Sequence, residues 1–182
     1  DAFFRDLGLP KPHFHLEVGS GSHAEQTGGV MIAYEKVASR EKPDWIVVVG
    51  DVNSTAACAM VGAKLWIPVV HLEAGLRSGD RRMPEEINRM VTDSITDIFY
   101  TTSEVANENL RKLGHAENKI KYVGNTMIDT LLKNMPRFVK PEAWDKFNLQ
   151  KKRYFVMTLH RPANVDEEAQ LKDLIDEIVK GA

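Results

Sequence analysis

"WIVVVGDVNSTAACAMVGAKLWIPVVHLE", residues 45–73, decides the reading of the fold. It holds two short apolar runs, "WIVVVG" (45–50) and "IPVVHLE" (67–73), and neither alternates polar with apolar residues. Strands apolar on both faces suit a parallel sheet covered by helices. Between them, "STAACAMVGAKL" (54–65) is rich in small residues that let a helix lie close to a sheet, and Ser54 is its expected N-cap. Working outward, the same apolar signature recurs in "DIFYTTS" (97–103), "IKYVG" (120–124) and "YFVMTL" (154–159). Helical patterns alternate with these runs. "PEEINRMVTDSITD" (84–97) has Pro84 in its first turn and Ile87, Met90, Val91 and Ile95 at helical spacing. "SEVANENLRKLG" (103–114) has Ser103 as cap and Gly114 as stop. Strand–helix alternation of this kind predicts an open, doubly wound α/β fold with a parallel, Rossmann-like sheet.

The segment 133–153, "KNMPRFVKPEAWDKFNLQKKR", breaks the rhythm: it is basic and carries two prolines. We expect a first Rossmann-like domain over 1–122, a connection over 123–153, and the start of a second, incomplete Rossmann-like domain over 154–182. The chain opens on "DAFFRDLGLP" without an initiator Met and stops on the helical pattern "DLIDEIVKGA", so a fragment of a longer protein is expected.

Composition excludes several classes. Of 182 residues, 43% are hydrophobic and 27% charged, which is ordinary globular composition. The formal net charge is −2 and no basic block stands out, so neither nucleic acid nor a membrane surface is an expected partner. No apolar stretch is long enough to span a bilayer, and no signal-peptide pattern is read. The one cysteine, Cys58, lies among Ala56, Ala57 and Ala59 and reads as helix packing; it fits a reducing, cytoplasmic setting.

Ligands in open α/β sheets bind beyond the C-terminal ends of the strands. Three polar stretches fall there. Asp51 follows one strand, Glu73 ends its neighbour, and His160 and Arg161 end the strand of "MTLHRPANVD". Glu85 and Glu86 occupy the first turn of a helix, where the dipole favours a carboxylate. One alternative is that Glu73 and Arg77 form a structural ion pair and the arginines of 77–89 a solvated rim. The other is a site, with Asp51, Glu73, Glu85 and His160 around one pocket. Carboxylates that share a pocket cannot all ionise cheaply, so their proton affinities should separate into acid and base. Nearby arginines would neutralise a phosphate. His13, His15, His23, His71, His115 and His160 show no metal-ligand spacing, so no metal is expected. No G-x-G-x-x-G follows a strand, so no dinucleotide is indicated. "GSGSH" (19–23) reads either as a plain loop or as a backbone anion nest.

"VGSGSHAEQTG", "VVVGDVNSTAACA", "VVHLEAGLRSGDRRMPEEINRMVTD", "VGNTMIDTLL" and "MTLHRPANV", taken together and in order, resemble the non-hydrolysing UDP-N-acetylglucosamine 2-epimerases of bacteria and archaea. The HLEAGLRS…MPEEINR stretch is the most specific of them. The resemblance implies a glycosyltransferase-B-like architecture of two Rossmann-like domains facing a cleft. It implies interconversion of UDP-N-acetylglucosamine and UDP-N-acetylmannosamine without nicotinamide or any other cofactor, by anti elimination of UDP to 2-acetamidoglucal and re-addition. By motif, Asp51, Glu73 and Glu85 match the family's acid/base carboxylates and His160 a histidine near the nucleotide phosphates. Arg77, Arg161 and Asn164 are expected to contact the UDP-sugar, and Gln26 to lie where some members bind a second, activating UDP-N-acetylglucosamine. A homodimer is implied for the full-length protein, as is a place in cell-envelope polysaccharide biosynthesis.

The chain also departs from the family pattern. The N-terminal strand with its G-[ST]-R-P-E-like loop and most of the C-terminal domain are not in this sequence, and Pro162 and Ala163 replace charged residues of the commoner "RRENVD"-like form. The 182-residue piece alone is therefore expected to be inactive. Competing readings are a glycosyltransferase of the same fold, a hydrolysing 2-epimerase, and a non-catalytic UDP-sugar-binding protein.

Overall fold

The structure, a computed structural model, describes residues 4, 5, 7–159, 165 and 167–181. Four of the five apolar runs form strands: β1 (Ile46–Val49), β2 (Val69–Leu72), β3 (Ile98–Thr101) and β4 (Ile120–Tyr122). They make one parallel sheet in the order β1-β2-β3-β4. Register aligns Val48, His71, Phe99 and Ile120 in one row across the sheet. Every member of that row is buried, and so is the Ile46–Val69 pair beside it. Strands added in one direction by right-handed crossovers send their connecting helices to one face, and this is the covered face.

The helices supply that cover. α1 (His23–Glu41) precedes β1, α2 (Asn53–Lys64) joins β1 to β2, α3 (Pro84–Ser94) joins β2 to β3, and α4 (Glu104–Lys112) joins β3 to β4. Ala59 of α2 packs with Ile46, Val48 and Val69, and Leu110 of α4 packs with Ala74, Phe99 and Ile120. The small residues of α2 do what their size predicts: Ala57 and Ala59 have no exposed surface. On the opposite face, β1 leaves Val47 and Val49 more than half exposed.

Local signals set the helix ends. Ser103 caps α4 by accepting the Ala106 N–H at 3.3 Å, and Gly114 ends the turn with φ of 87°. Pro84 opens α3 as predicted. The start of α2 differs from expectation. Val52 is its N-cap with no side-chain bond, and Ser54 lies inside the first turn. Asn53, the first residue of the helix, bonds Gln26 and Asn88 with its side chain (below). α1 was not anticipated; a capping box of Ser22 and Glu25 starts it.

By internal contacts the chain divides into two units, Asp1–Lys133 and Asn134–Ala182. The first ends with α5 (Thr126–Asn134) at the division. The second holds α6 (Glu142–Lys146) and α7 (Glu168–Gly181), with an edge-on contact of Trp144 and Tyr154 at 5.4 Å. The strand expected over 154–159 is not formed; this stretch has no regular secondary structure. Its apolar residues are right for a strand, but a strand needs a ladder partner, and the described residues of this unit contain none.

Candidate active site

The C-terminal tips of β1 and β2 carry the two strand-borne carboxylates. Gly50 closes β1 by donating its N–H to the Leu72 carbonyl at 3.0 Å, with φ of 69°. Asp51 follows, half-buried. Glu73 closes β2, and its N–H bonds the Tyr100 carbonyl at 2.9 Å. A Cβ on Gly50 would stand 3.7 Å from Glu73 Oε2, so the Glu73 carboxylate lies over the β1 tip, next to Asp51.

Glu73 adopts φ of 75°, a left-handed conformation that a non-glycine residue holds at a cost of about 1–2 kcal/mol. Such strain is typical of sites where a side chain must be aimed. Two residues on, Gly75 has φ of 79°, and a Cβ there would meet the Ala106 carbonyl oxygen at 2.5 Å. Only glycine fits, so the "EAG" turn is fixed by α4 behind it.

The third carboxylate comes from α3. Asn88 Nδ2 donates to the Asp51 carbonyl at 2.9 Å, and Arg89 pairs with the Asp51 carboxylate. Residues three and four apart share a helix face, so Glu85 lies on the face that α3 turns toward the β1 tip. Among the described residues, neither Glu73 nor Glu85 has a hydrogen-bond or ion-pair partner for its carboxylate. Both are half-buried.

Glu86 behaves oppositely. It is buried and accepts the backbone N–H of Ser78 at 2.9 Å and of Gly79 at 3.2 Å, with Arg89 at 3.1 Å. Burial acts to raise its carboxyl, but the backbone bonds from Ser78 and Gly79 and the Arg89 contact outweigh it, and the group sits below the ordinary glutamate range. Burial likewise opposes the charge on Arg89, while its contacts with Asp51 and Glu86 raise its proton affinity above the ordinary value. Of the two adjacent glutamates, one anchors the 78–79 turn and the other is left open to the site.

The remaining predicted residues divide. Arg77 does not pair with Glu73. Its guanidinium is held by Asp93 Oδ2 at 2.7 Å and donates to the Leu76 carbonyl at 2.7 Å. Gln26 accepts from Asn53 Nδ2 at 2.8 Å, and Asn53 Oδ1 accepts from Asn88 at 3.2 Å, which links Gln26 to the α3 face beside Asp51. Gln26 also lines a cavity of about 390 Å³ with Gly19, Ser20, Val52, Asn53 and Ser54, immediately past Asp51. His160, Arg161 and Asn164 lie outside the described residues.

Sequence reasoning missed Asn88, Arg89 and Asp93. The signal was present: counting in fours from Glu85 gives Arg89 and Asp93 on one stripe of α3. It also passed over His71, a polar residue midway along an apolar strand, where burial demands partners.

A family model described as UDP-N-acetylglucosamine 2-epimerase matches residues 1–181. The chain belongs to the UDP-N-acetylglucosamine 2-epimerase family. It is 48% identical over 179 residues to the UDP-N-acetylglucosamine 2-epimerase of Methanocaldococcus jannaschii, covering 97% of this chain and 49% of the relative. The crystal structure of the M. jannaschii enzyme in complex with UDP-GlcNAc and UDP superposes with a TM-score of 0.85 at 47% identity, over 98% of this chain and 49% of that one. A Pseudomonas aeruginosa UDP-2,3-diacetamido-2,3-dideoxy-D-glucuronate 2-epimerase is 39% identical over 179 residues, 97% of this chain and 49% of its own length. The chain thus spans about half the length of the curated relatives it matches. Its fold is theirs: α/β, with a parallel sheet of the glycosyltransferase-B-like kind.

Proposed function

We propose that the full-length gene product carrying this chain is a non-hydrolysing UDP-N-acetylglucosamine 2-epimerase. The observation that carries this reading is the gathering of three half-buried carboxylates, Asp51, Glu73 and Glu85, from two adjacent strand tips and one helix start. Epimerisation at C2 needs this. A carboxylate takes the C2 proton and the resulting electron pair forms the C1–C2 double bond. UDP leaves C1 with the electrons of the C1–O bond, giving 2-acetamidoglucal. Return of UDP to C1 and of a proton to the opposite face of C2 gives UDP-N-acetylmannosamine. Acid and base groups are needed on both faces of the ring, and each placed group is worth roughly 10²–10⁴ in rate. A glycosyltransferase needs fewer.

The reading extends to a cytoplasmic homodimer that supplies mannosamine units for envelope polysaccharide, with His160, Arg161 and Asn164 on the nucleotide and Gln26 near a second nucleotide-sugar. No metal, nicotinamide, nucleic acid or membrane enters the scheme. Among the described residues, no helix is long and apolar enough to cross a membrane. The domain boundaries proposed for the full-length protein are 1–122, 123–153 and 154 onward.

The test is incubation of the full-length gene product with UDP-N-acetylglucosamine in D₂O. Deuterium at C2 of both UDP-sugars, with UDP still attached, is the expected result. Released free sugar would make it a hydrolysing enzyme, transfer to an acceptor a glycosyltransferase, and binding without exchange a sensor. The same experiment with a UDP-2,3-diacetamido uronate separates the two sugar classes used by the relatives.

A further inference from the structure

His71 has no exposed surface, and both of its ring nitrogens face acceptors. Nε2 lies 2.8 Å from the Gly50 carbonyl oxygen. Nδ1 lies 2.7 Å from Asp93 Oδ1. A carbonyl oxygen only accepts, so Nε2 carries a hydrogen. Asp93 is a carboxylate: its Oδ2 accepts the Gly75 N–H at 3.1 Å and the Arg77 guanidinium at 2.7 Å. Nδ1 therefore carries a hydrogen too. The charged groups facing this ring are Asp93 of α3 and, through it, Arg77 of the loop after β2.

The two ends of this arrangement fall beside the site. Gly50 immediately precedes Asp51, and Gly75 is two residues past Glu73. We propose that His71 is a positioning residue for the site described above: with a hydrogen on each ring nitrogen, it clamps the Gly50 carbonyl beside Asp51 and, through Asp93, the Gly75 turn beyond Glu73. The inference rests on the epimerase reading and assigns to that site a support that touches no substrate. Neutral histidine cannot donate at both nitrogens, and neither can asparagine or glutamine, whose single amide group donates from one atom only.

Two measurements test it. In ¹⁵N-labelled full-length protein near pH 7, both His71 ring nitrogens are expected to show a directly bonded hydrogen. A single protonated nitrogen overturns the proposal. In the His71→Asn variant, with sites counted by UDP binding, kcat for C2 exchange is expected to fall about 100-fold per site while KM stays within about threefold, the signature of displaced reacting groups. A kcat per binding site within about threefold of the parent overturns it, as does activity lost only in proportion to lost binding sites. The ring spectrum is read on unaltered protein, so a variant that fails to fold leaves that test standing. If the full-length protein exchanges no C2 hydrogen, the epimerase reading falls while the spectrum still decides whether the clamp exists.

Discussion

"WIVVVG" and "YFVMTL" are equally apolar, yet only the first is a strand. In the unit Asp1–Lys133, β1 pairs with β2 and buries Ile46 and Val48 against α2. In the unit Asn134–Ala182, Phe155 and Val156 are each more than four-fifths exposed, and no described residue of the unit is buried. The difference teaches that an apolar run supplies the faces of a strand but not its neighbours. Hydrogen-bonded pairing and a covering helix complete the element, and the first unit contains both.

The largest expected contrast lies at the centre of the covered face. Phe99 has no exposed surface, so Phe99→Ala is expected to cost about 3–5 kcal/mol in denaturant melts of the chain. A loss below about 1 kcal/mol would erase the distinction between the units. Asp93→Asn is next. It leaves His71 and Arg77 without their anion and is expected to cost about 3 kcal/mol at pH 7, within the range for breaking a buried pair. The folded carboxyl lies below its unfolded value, so its stabilisation is present above about pH 4 and is lost as pH falls through the folded value. The gap between parent and variant should therefore narrow in acid, as melts between about pH 7 and pH 3 would show. A gap that widens there would contradict the assignment.

A smaller effect of opposite sign is expected at Glu73. Replacing a left-handed glutamate by glycine relieves strain, so Glu73→Gly should raise the chain's stability by about 1 kcal/mol while removing C2 exchange in the full-length protein. Loss of both stability and activity would mean the turn is not strained. Smallest of all, Phe155→Ala in this chain should change stability by no more than about 0.5 kcal/mol, since the ring is 83% exposed. Amide exchange sharpens the same point: the β1–β4 amides should be protected and those of 154–159 should exchange near the unfolded rate.

The sequence carried the sheet plainly because each strand of the first unit is short, apolar and bounded by a turn or cap. It carried the carboxylates because charge at a strand tip is unusual. It did not reveal their supports, for a physical reason. Arg89, Asp93 and His71 act across 18 to 38 residues of chain, through pairings that exist only once α3 lies against β1 and β2. The alternative of a Glu73–Arg77 ion pair fails on the same ground: the partner of Arg77 is Asp93 on the following helix. Glu85 was chosen over Glu86 by motif alone; the contrast between them, with Glu86 tied to Ser78, Gly79 and Arg89, exists only in the folded chain.

Among the described residues, β1 hydrogen-bonds a strand on one side only and turns Val47 and Val49 outward. A strand edge flanked by exposed β-branched side chains is a template for another chain's backbone, although on β1 the Val49 carbonyl already accepts the Thr55 hydroxyl. The 182-residue chain, handled alone, will thus tend to self-associate through β1 as its concentration rises, and its colloidal behaviour will be limited there before its thermal unfolding is reached.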